Sequence, residues 1–189
     1  RDVTGFEVRS ESGPEVTVLN AENQGRVVFF QSGNEITFEG FTITGGRALS
    51  PDCDEGGGIC GHLSSPVAVR SSIIASNSGG GAFSAELESA LDLGCSDIYG
   101  NVGGDSLPPG TIDSGCNIFL DPQFCGVLGS QNYYLQSDSP CLTINHPGGL
   151  FCGLIGAYPA RCGTVPVRNG SWGSIKRLNR DRWRRRIYY

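Results

Sequence analysis

The stretch GGGICGHLSSPVAVRSSIIASNSG, from Gly56 to Gly79, decides the fold, because the chain then repeats its character. A second segment, GGGAFSAELESALDLGCSDIYGNVGG, opens at Gly79, 23 residues after Gly56. Each begins with three glycines, passes through small polar residues and closes on an apolar run ending in Asn77 or Asn101, which lie 24 residues apart. Upstream, EITFEGFTITGG (Glu35–Gly46) has the same strand character and ends on a glycine turn. Earlier come EVTVLNA and RVVFFQS, and downstream CNIFLDPQF. Apolar residues alternate at Val16/Val18, Val27/Phe29, Ile36/Phe38, Phe41/Ile43 and Val67/Val69. Such period-2 runs bounded by Gly, Asn, Ser and Pro read as short, half-buried strands.

A repeat of this length is too short for a propeller blade and lacks the helix of helical solenoids. Leucine-rich repeats share the length but need Leu at fixed offsets, and few Leu fall here. A coil of parallel strands, each turn stacked about 4.8 Å on the last, is the better physical match. Its corners need backbone conformations that Gly and Asn adopt cheaply. Two readings of Asn77 and Asn101 follow: rungs of a ladder of stacked side-chain amides, or turn residues with no stacking.

GFTITGG at 40–46, the GGGI start at 56–59, SSP at 64–66 and the I-x-x-N endings resemble right-handed parallel β-helix proteins of bacteria, of the pectate-lyase-like solenoid superfamily. DPQFC (121–125), NYYLQSDSPC (132–141) and LIGAYPARC (154–162) are similar to the closing coils of secreted members of that group. The resemblance covers about residues 3 to 162. It implies an all-β, right-handed parallel β-helix of about six short coils over 1–162, followed by a basic extension, 163–189. No activity comes with it, because that superfamily hosts lyases, hydrolases, adhesins and purely structural modules.

Composition agrees with an all-β, turn-rich domain. The 189 residues include 29 Gly and 10 Pro, against ordinary usage of roughly 7% and 5%. Each interior glycine would cost a helix about 1 kcal/mol relative to alanine. No apolar run approaches the roughly 20 residues of a membrane span, so no transmembrane segment is expected. The chain opens on Arg1 and holds no Met, as expected of a processed or truncated product. Nothing before Val3 reads as a helical cap, so either the chain extends further forward or the open end meets a partner.

The eight cysteines (Cys53, Cys60, Cys95, Cys116, Cys125, Cys141, Cys152 and Cys162) form no C-x-x-C pair. Zinc sites usually bring ligands at two-to-four-residue gaps, so disulfides are the leading reading, with free thiols or a metal as alternatives. Sequence neighbours are the simplest pairs: Cys53–Cys60, Cys95–Cys116, Cys125–Cys141 and Cys152–Cys162. Disulfides place the protein in an oxidising compartment, secreted or on the cell surface.

Candidate chemistry is sparse. Asp52, Asp54 and Glu55 in PDCDEGGG offer oxygen ligands for Ca²⁺, or form a solvated loop pinned by Cys53–Cys60. No cofactor is otherwise expected. Asp92, Asp97, Asp113 and Asp121 fall about one per turn, and Asp121 precedes Pro as a turn-capping acid does. His62 lies in a loop and His146 in the turn sequence INHPGG, each read as a surface residue rather than a catalyst, and Arg47 and Arg70 are the basic groups of the central turns. Ser84 and Ser89 have no histidine at catalytic spacing, and the glycine triplets lack the G-K-[ST] of a phosphate loop.

Thirteen Arg accompany one Lys, and eight of these fourteen lie after residue 162, opposed only by Asp181. The body is acidic and the tail basic, which points to an anionic partner for the tail. SWGSIKRLNR (171–180) fits a short helix capped by Ser171 or an extended arm. Trp172, Ile175, Trp183, Arg184, Arg185, Arg186, Ile187, Tyr188 and Tyr189 are interface candidates, since Trp, Tyr and Arg dominate interface hot spots. Self-association or contact with a cell surface or polysaccharide is expected, and nucleic acid is not. The function expected is a secreted structural or adhesive module, self-assembling head to tail. The alternative is a carbohydrate-active β-helix enzyme, or an inactive carbohydrate-binding relative.

Overall fold

A computed structural model of the protein describes residues 5–9, 17–31, 35–48, 56–62, 66–84, 91–126 and 132–162. These residues are all-β, and none of them is helical. The first sheet, A, stacks β1 (Gly5–Arg9), β4 (Glu35–Glu39), β7 (Val67–Arg70), β10 (Leu91–Gly94) and β12 (Ile112–Asp113) in that order. Sheet B stacks β2 (Val18–Asn20), β5 (Thr42–Thr44), β8 (Ile73–Ala75) and β11 (Asp97–Tyr99), and sheet C stacks β3 (Val28–Gln31), β6 (Gly56–His62) and β9 (Gly81–Phe83). All these pairings are parallel. The chain visits A, B and C in rotation, so each circuit lays one turn upon the last. This architecture is compatible with a parallel β-helix.

Alternation decides which side chains enter the coil. Val67 and Val69 of β7 and Leu91 and Leu93 of β10 are buried, whereas Ala68, Arg70 and Asp92 between them stay partly exposed. Ile43, Ile74 and Ile98 occupy the same inward position of successive sheet B strands and join Phe38, Phe41, Ile59 and Phe83 in one core. Burying each such side chain stabilises the fold by about 1.5–3 kcal/mol. At β3 the Val27/Phe29 expectation holds only in part: Val27 packs on the core, but so does its neighbour Val28, and Phe29 stays exposed beneath the Arg26 guanidinium. The glycine triplets also stack one or two residues off their sequence alignment, with Gly56 opposite Gly81 and a register shift before Ile59–Phe83.

The corners are held by side chains. Asn77 Nδ2 donates to Asn101 Oδ1 (2.8 Å), Gly46 N–H donates to Asn77 Oδ1 (2.8 Å), and both asparagines are buried. The ladder reading is therefore the correct one. Asp105 ends it, accepting from Asn101 Nδ2 at 2.7 Å. A second ladder runs along the A–B corner: Phe41 N–H to Ser72 Oγ, Ser72 N–H to Ser96 Oγ, and Ser96 N–H to Asn117 Oδ1. Beside the first ladder the turns approach so closely that a Cβ on Gly103 would lie 2.3 Å from the Gly80 backbone. Only glycine fits there.

Residues 121–126 and 132–162 do not continue the stack. The central strands of sheet B, β5 and β8, are buried on both faces, and the outward Ile73 and Ala75 of β8 join Leu135, Cys141, Leu142 and Ile155 in a second core. The closing segment is a strap laid over that face, and β13 (Leu135–Gln136) and β14 (Ala160–Cys162) pair within it. It bonds to successive turns: Gly156 N–H to Ser71 O (2.8 Å), Ala157 N–H to Thr42 Oγ1 (3.2 Å), and Asn20 Nδ2 to Tyr133 Oη (3.0 Å). Gly156 sits at φ 89°, where a Cβ would come within 2.4 Å of Ile73 Cδ1. The three motifs expected in closing coils build this strap, because an apolar outward face on sheet B needs covering.

Asn77→Ala leaves the Gly46 N–H unpaired in the interior and removes one of the two donors to Asn101 Oδ1, the Asn77 N–H remaining. A loss of about 2–4 kcal/mol in unfolding free energy is expected, measured by urea denaturation with disulfides intact. Wild-type stability in that variant would remove the ladder from the account.

Candidate functional site

Three places bring reactive or polar side chains together. The first is the outward face of sheet A, where one row carries Arg9, Glu39 and Arg70 on successive strands. Arg9 pairs with Glu39 at 2.8 Å and with Glu7 at 2.5 Å. Arg70 pairs with the Asp92 carboxylate and also donates through Nη1 to Asp92 O at 2.7 Å. Ser114 Oγ donates to Asp92 Oδ1 at 2.5 Å. The Arg70 bond holds the Asp92 carboxyl below the usual carboxylate range, with Ser114 helping against partial desolvation. Solvent-exposed pairs of this kind are worth little for stability, typically about 0–1 kcal/mol. Their effect is to make this face a ridge of alternating charge.

The second place lies between sheet B and the strap. Asp97, fully buried in β11, accepts from Leu120 N–H at 3.2 Å and from the Cys141 thiol at 3.1 Å. Burial pushes the Asp97 carboxyl up to about 7, against the two hydrogen bonds that favour its charge; Asp105 and Asp121 push it further up. Burial and the adjoining Asp97 drive the Cys141 thiol upward as well. Ser139 Oγ donates to Pro122 O at 2.7 Å and receives Cys141 N–H at 3.2 Å, so the S-P-C and D-P motifs lock together here. A thiol held in its protonated form is a poor nucleophile, and the arrangement is structural in character.

The third is an open cavity of about 330 Å³ lined by Cys125, Asn132, Tyr134, Arg161 and Cys162. The Arg161 guanidinium lies 4.6 Å from the Tyr134 ring centre, and the Tyr158 ring packs on Tyr134 at 4.6 Å, tilted by 51°. The guanidinium and the second ring already rest on Tyr134, so what the cavity offers a ligand is the Arg161 charge and the Asn132 amide, which suit a polar or anionic group.

The sequence-derived candidates divide sharply. Asp52, Asp54, Glu55 and Cys53 lie outside the described residues, as do Ser89, Lys176 and the tail residues Trp172, Ile175, Trp183, Arg184, Arg185, Arg186, Ile187, Tyr188 and Tyr189. The expected pairs Cys95–Cys116, Cys125–Cys141 and Cys152–Cys162 are corrected: the bonds are Cys95–Cys152 and Cys125–Cys162, and Cys116 and Cys141 are free. The strap is the reason: it returns alongside the stack and brings Cys152 to the Cys95 corner, and it folds on itself, with Cys125 N–H bonded to Tyr134 O and Gln136 paired with Cys162, so that Cys125 meets Cys162. Cys60 is disulfide-bonded. Asp121 caps its turn as expected, accepting from Gln123 N–H at 2.8 Å, and Asp113 accepts from Gly115 N–H and Asn117 Nδ2. His146, expected at the surface, is buried with both ring nitrogens engaged: Nδ1 accepts from Gly148 N–H, and Nε2 faces Cys116 O at 3.1 Å. Ser84 is buried at the end of β9, Arg47 is exposed and bridges Ser78, and His62 ends β6. Sequence reading treated Asp97 as one more scattered acid and paired Cys141 elsewhere; nothing local marked either as buried.

Comparison with known proteins adds no relative: no family model matches the chain, and neither a curated protein nor a solved structure matches it.

Asp97 makes the fold pH-sensitive with a definite sign. Its carboxyl ionises near 3.8 in the unfolded chain but near 7 when folded. Between those values the folded state binds the extra proton, so its contribution is complete below about pH 3.8 and disappears as pH rises to about 7. The span corresponds to a few kcal/mol at most, at about 1.4 kcal/mol per pH unit. Asp97→Asn is expected to flatten that slope and to raise stability at pH 8. Urea titrations from pH 4 to 8 check this, and parallel slopes in wild type and variant would refute it.

Proposed function

We propose that this protein is an exported, right-handed parallel β-helix of the pectate-lyase-like solenoid class, a structural or adhesive module that associates head to tail. Handedness follows from the crossover rule, because successive strands of one parallel sheet are joined right-handedly in about 98% of cases. Export accords with the disulfides Cys95–Cys152 and Cys125–Cys162, which persist in oxidising surroundings. Among the described residues no helix is long and apolar enough to cross a membrane.

One observation carries the association. Strands β1, β2 and β3 are the terminal members of sheets A, B and C, so at that end three strands pair on one side only among the described residues. Open parallel edges invite further strands, and a head-to-tail contact that does not close propagates into a fibre or layer. The basic tail, 163–189, supplies the charge complement to the acidic body and bridges successive copies.

A second reading rests on the cavity beside Arg161, whose guanidinium suits an acidic polysaccharide. Cleavage of pectin- or alginate-like substrates with Ca²⁺, abolished by Asp54→Ala, would favour that reading.

For the assembly, the whole chain is compared with a variant carrying Arg184→Glu, Arg185→Glu and Arg186→Glu, by light scattering and negative-stain imaging. Elongated particles are expected for the wild type at low salt, shortening at high salt as charge is screened, with the variant largely monomeric. Monodisperse monomers of wild type at low salt would end the proposal.

A further inference from the structure

Cys116 was expected to pair with Cys95 and does not. It occupies the same corner one turn later: Leu93 pairs with Asp113, Asp97 bridges Ile118, and Cys95 N–H donates to Gly115 O between them. Both cysteines hold positive φ, 47° and 58°. Cys152 reaches the corner from the strap and is bonded to Cys95. The three sulfurs, Cys95, Cys116 and Cys152, all lie within 4.8 Å of one another. The turn at Pro147–Gly149 covers the free thiol, since a Cβ on Gly148 would lie 3.9 Å from Cys116 Sγ. His146 anchors that turn to the Cys116 carbonyl.

From this juxtaposition of a thiol and a disulfide we infer that Cys95, Cys116 and Cys152 form a thiol–disulfide exchange site, in which the staple moves between Cys95–Cys152 and Cys95–Cys116. The Cys116 thiolate, having lost its proton to water, attacks Cys95 Sγ. The Cys95–Cys116 bond forms as the Cys95–Cys152 bond breaks, and the electron pair leaves on Cys152, which takes a proton from water. One disulfide and one thiol stand on each side, so no oxidant or reductant is required. The product is sterically reachable. Equivalent positions of adjacent turns lie about 4.8 Å apart, within the roughly 4.4–6.8 Å Cα range of natural disulfides. Exchange unpins the strap from the corner at Cys152, beside the exposed Leu150 and Phe151.

The whole chain is held in native buffer at pH 8, quenched in acid, denatured in acid and alkylated with N-ethylmaleimide, and cleaved with pepsin. Mass spectrometry of the linked peptides is expected to find Cys95–Cys116 with alkylated Cys152, alongside Cys95–Cys152 with alkylated Cys116. In Cys116→Ser the Cys152 label is expected to fall to background. Absence of Cys152 label after prolonged incubation with a trace of 2-mercaptoethanol would overturn the assignment. So would Cys152 label that persists in Cys116→Ser, because it would then arise by another route. The wild-type measurement needs no variant to fold.

Discussion

The hydrogen bond from a backbone N–H in one turn to a side-chain oxygen in the next holds this coil in register. The turns differ in length: equivalent corner residues are separated by 31 positions from Phe41 to Ser72, 24 from Ser72 to Ser96 and 21 from Ser96 to Asn117. No fixed period can align such turns. The corners do so instead, since a buried amide or hydroxyl left unpaired costs about 1–3 kcal/mol and only one registration satisfies Ser72, Ser96, Asn77 and Asn101 together. Both ladders run in the same sense and end on a carboxylate, Asp105 for one and Asp113 for the other. An acid suits that end, because the last amide of each ladder presents its N–H groups to it.

Sequence made the strands and one ladder legible, for a physical reason. Alternation reports directly on which side chains face a core, and Val67, Val69, Leu91 and Leu93 obey it. Asn77 and Asn101 were visible because the same residue type recurs. The Ser72–Ser96–Asn117 ladder escaped notice because its residue type changes, while the feature retained is a side-chain oxygen at a fixed place. Identity is a narrower signal than geometry.

The strap was not legible at all, and most other discrepancies follow from it. Pairing cysteines by proximity in sequence assumes that nearby residues stay nearby, yet the bonds found close separations of 57 and 37 residues. The first arises because the strap returns along sheet B to the Cys95 corner, and the second because the strap folds on itself where β13 and β14 pair. The same return buries Asp97, which on an uncovered sheet would face water as Asp92 does on sheet A. One topological fact therefore accounts for Cys95–Cys152, the raised Asp97 carboxyl and the engaged His146.

The strap also changes how the stack behaves mechanically. In a solenoid each turn touches only its neighbours, so stability accumulates turn by turn and an end can fray independently. Here a single segment bonds to Asn20, Thr42, Ser71 and Asp97, which belong to successive turns of the coil. Loss of one turn then disturbs contacts made by the others through the strap, and Cys95–Cys152 adds a covalent tie at the corner. Long-range coupling of this kind turns a quasi-one-dimensional array into one cooperative unit. A short coil gains most from it, because it has few turns over which to spread the cost of its open ends.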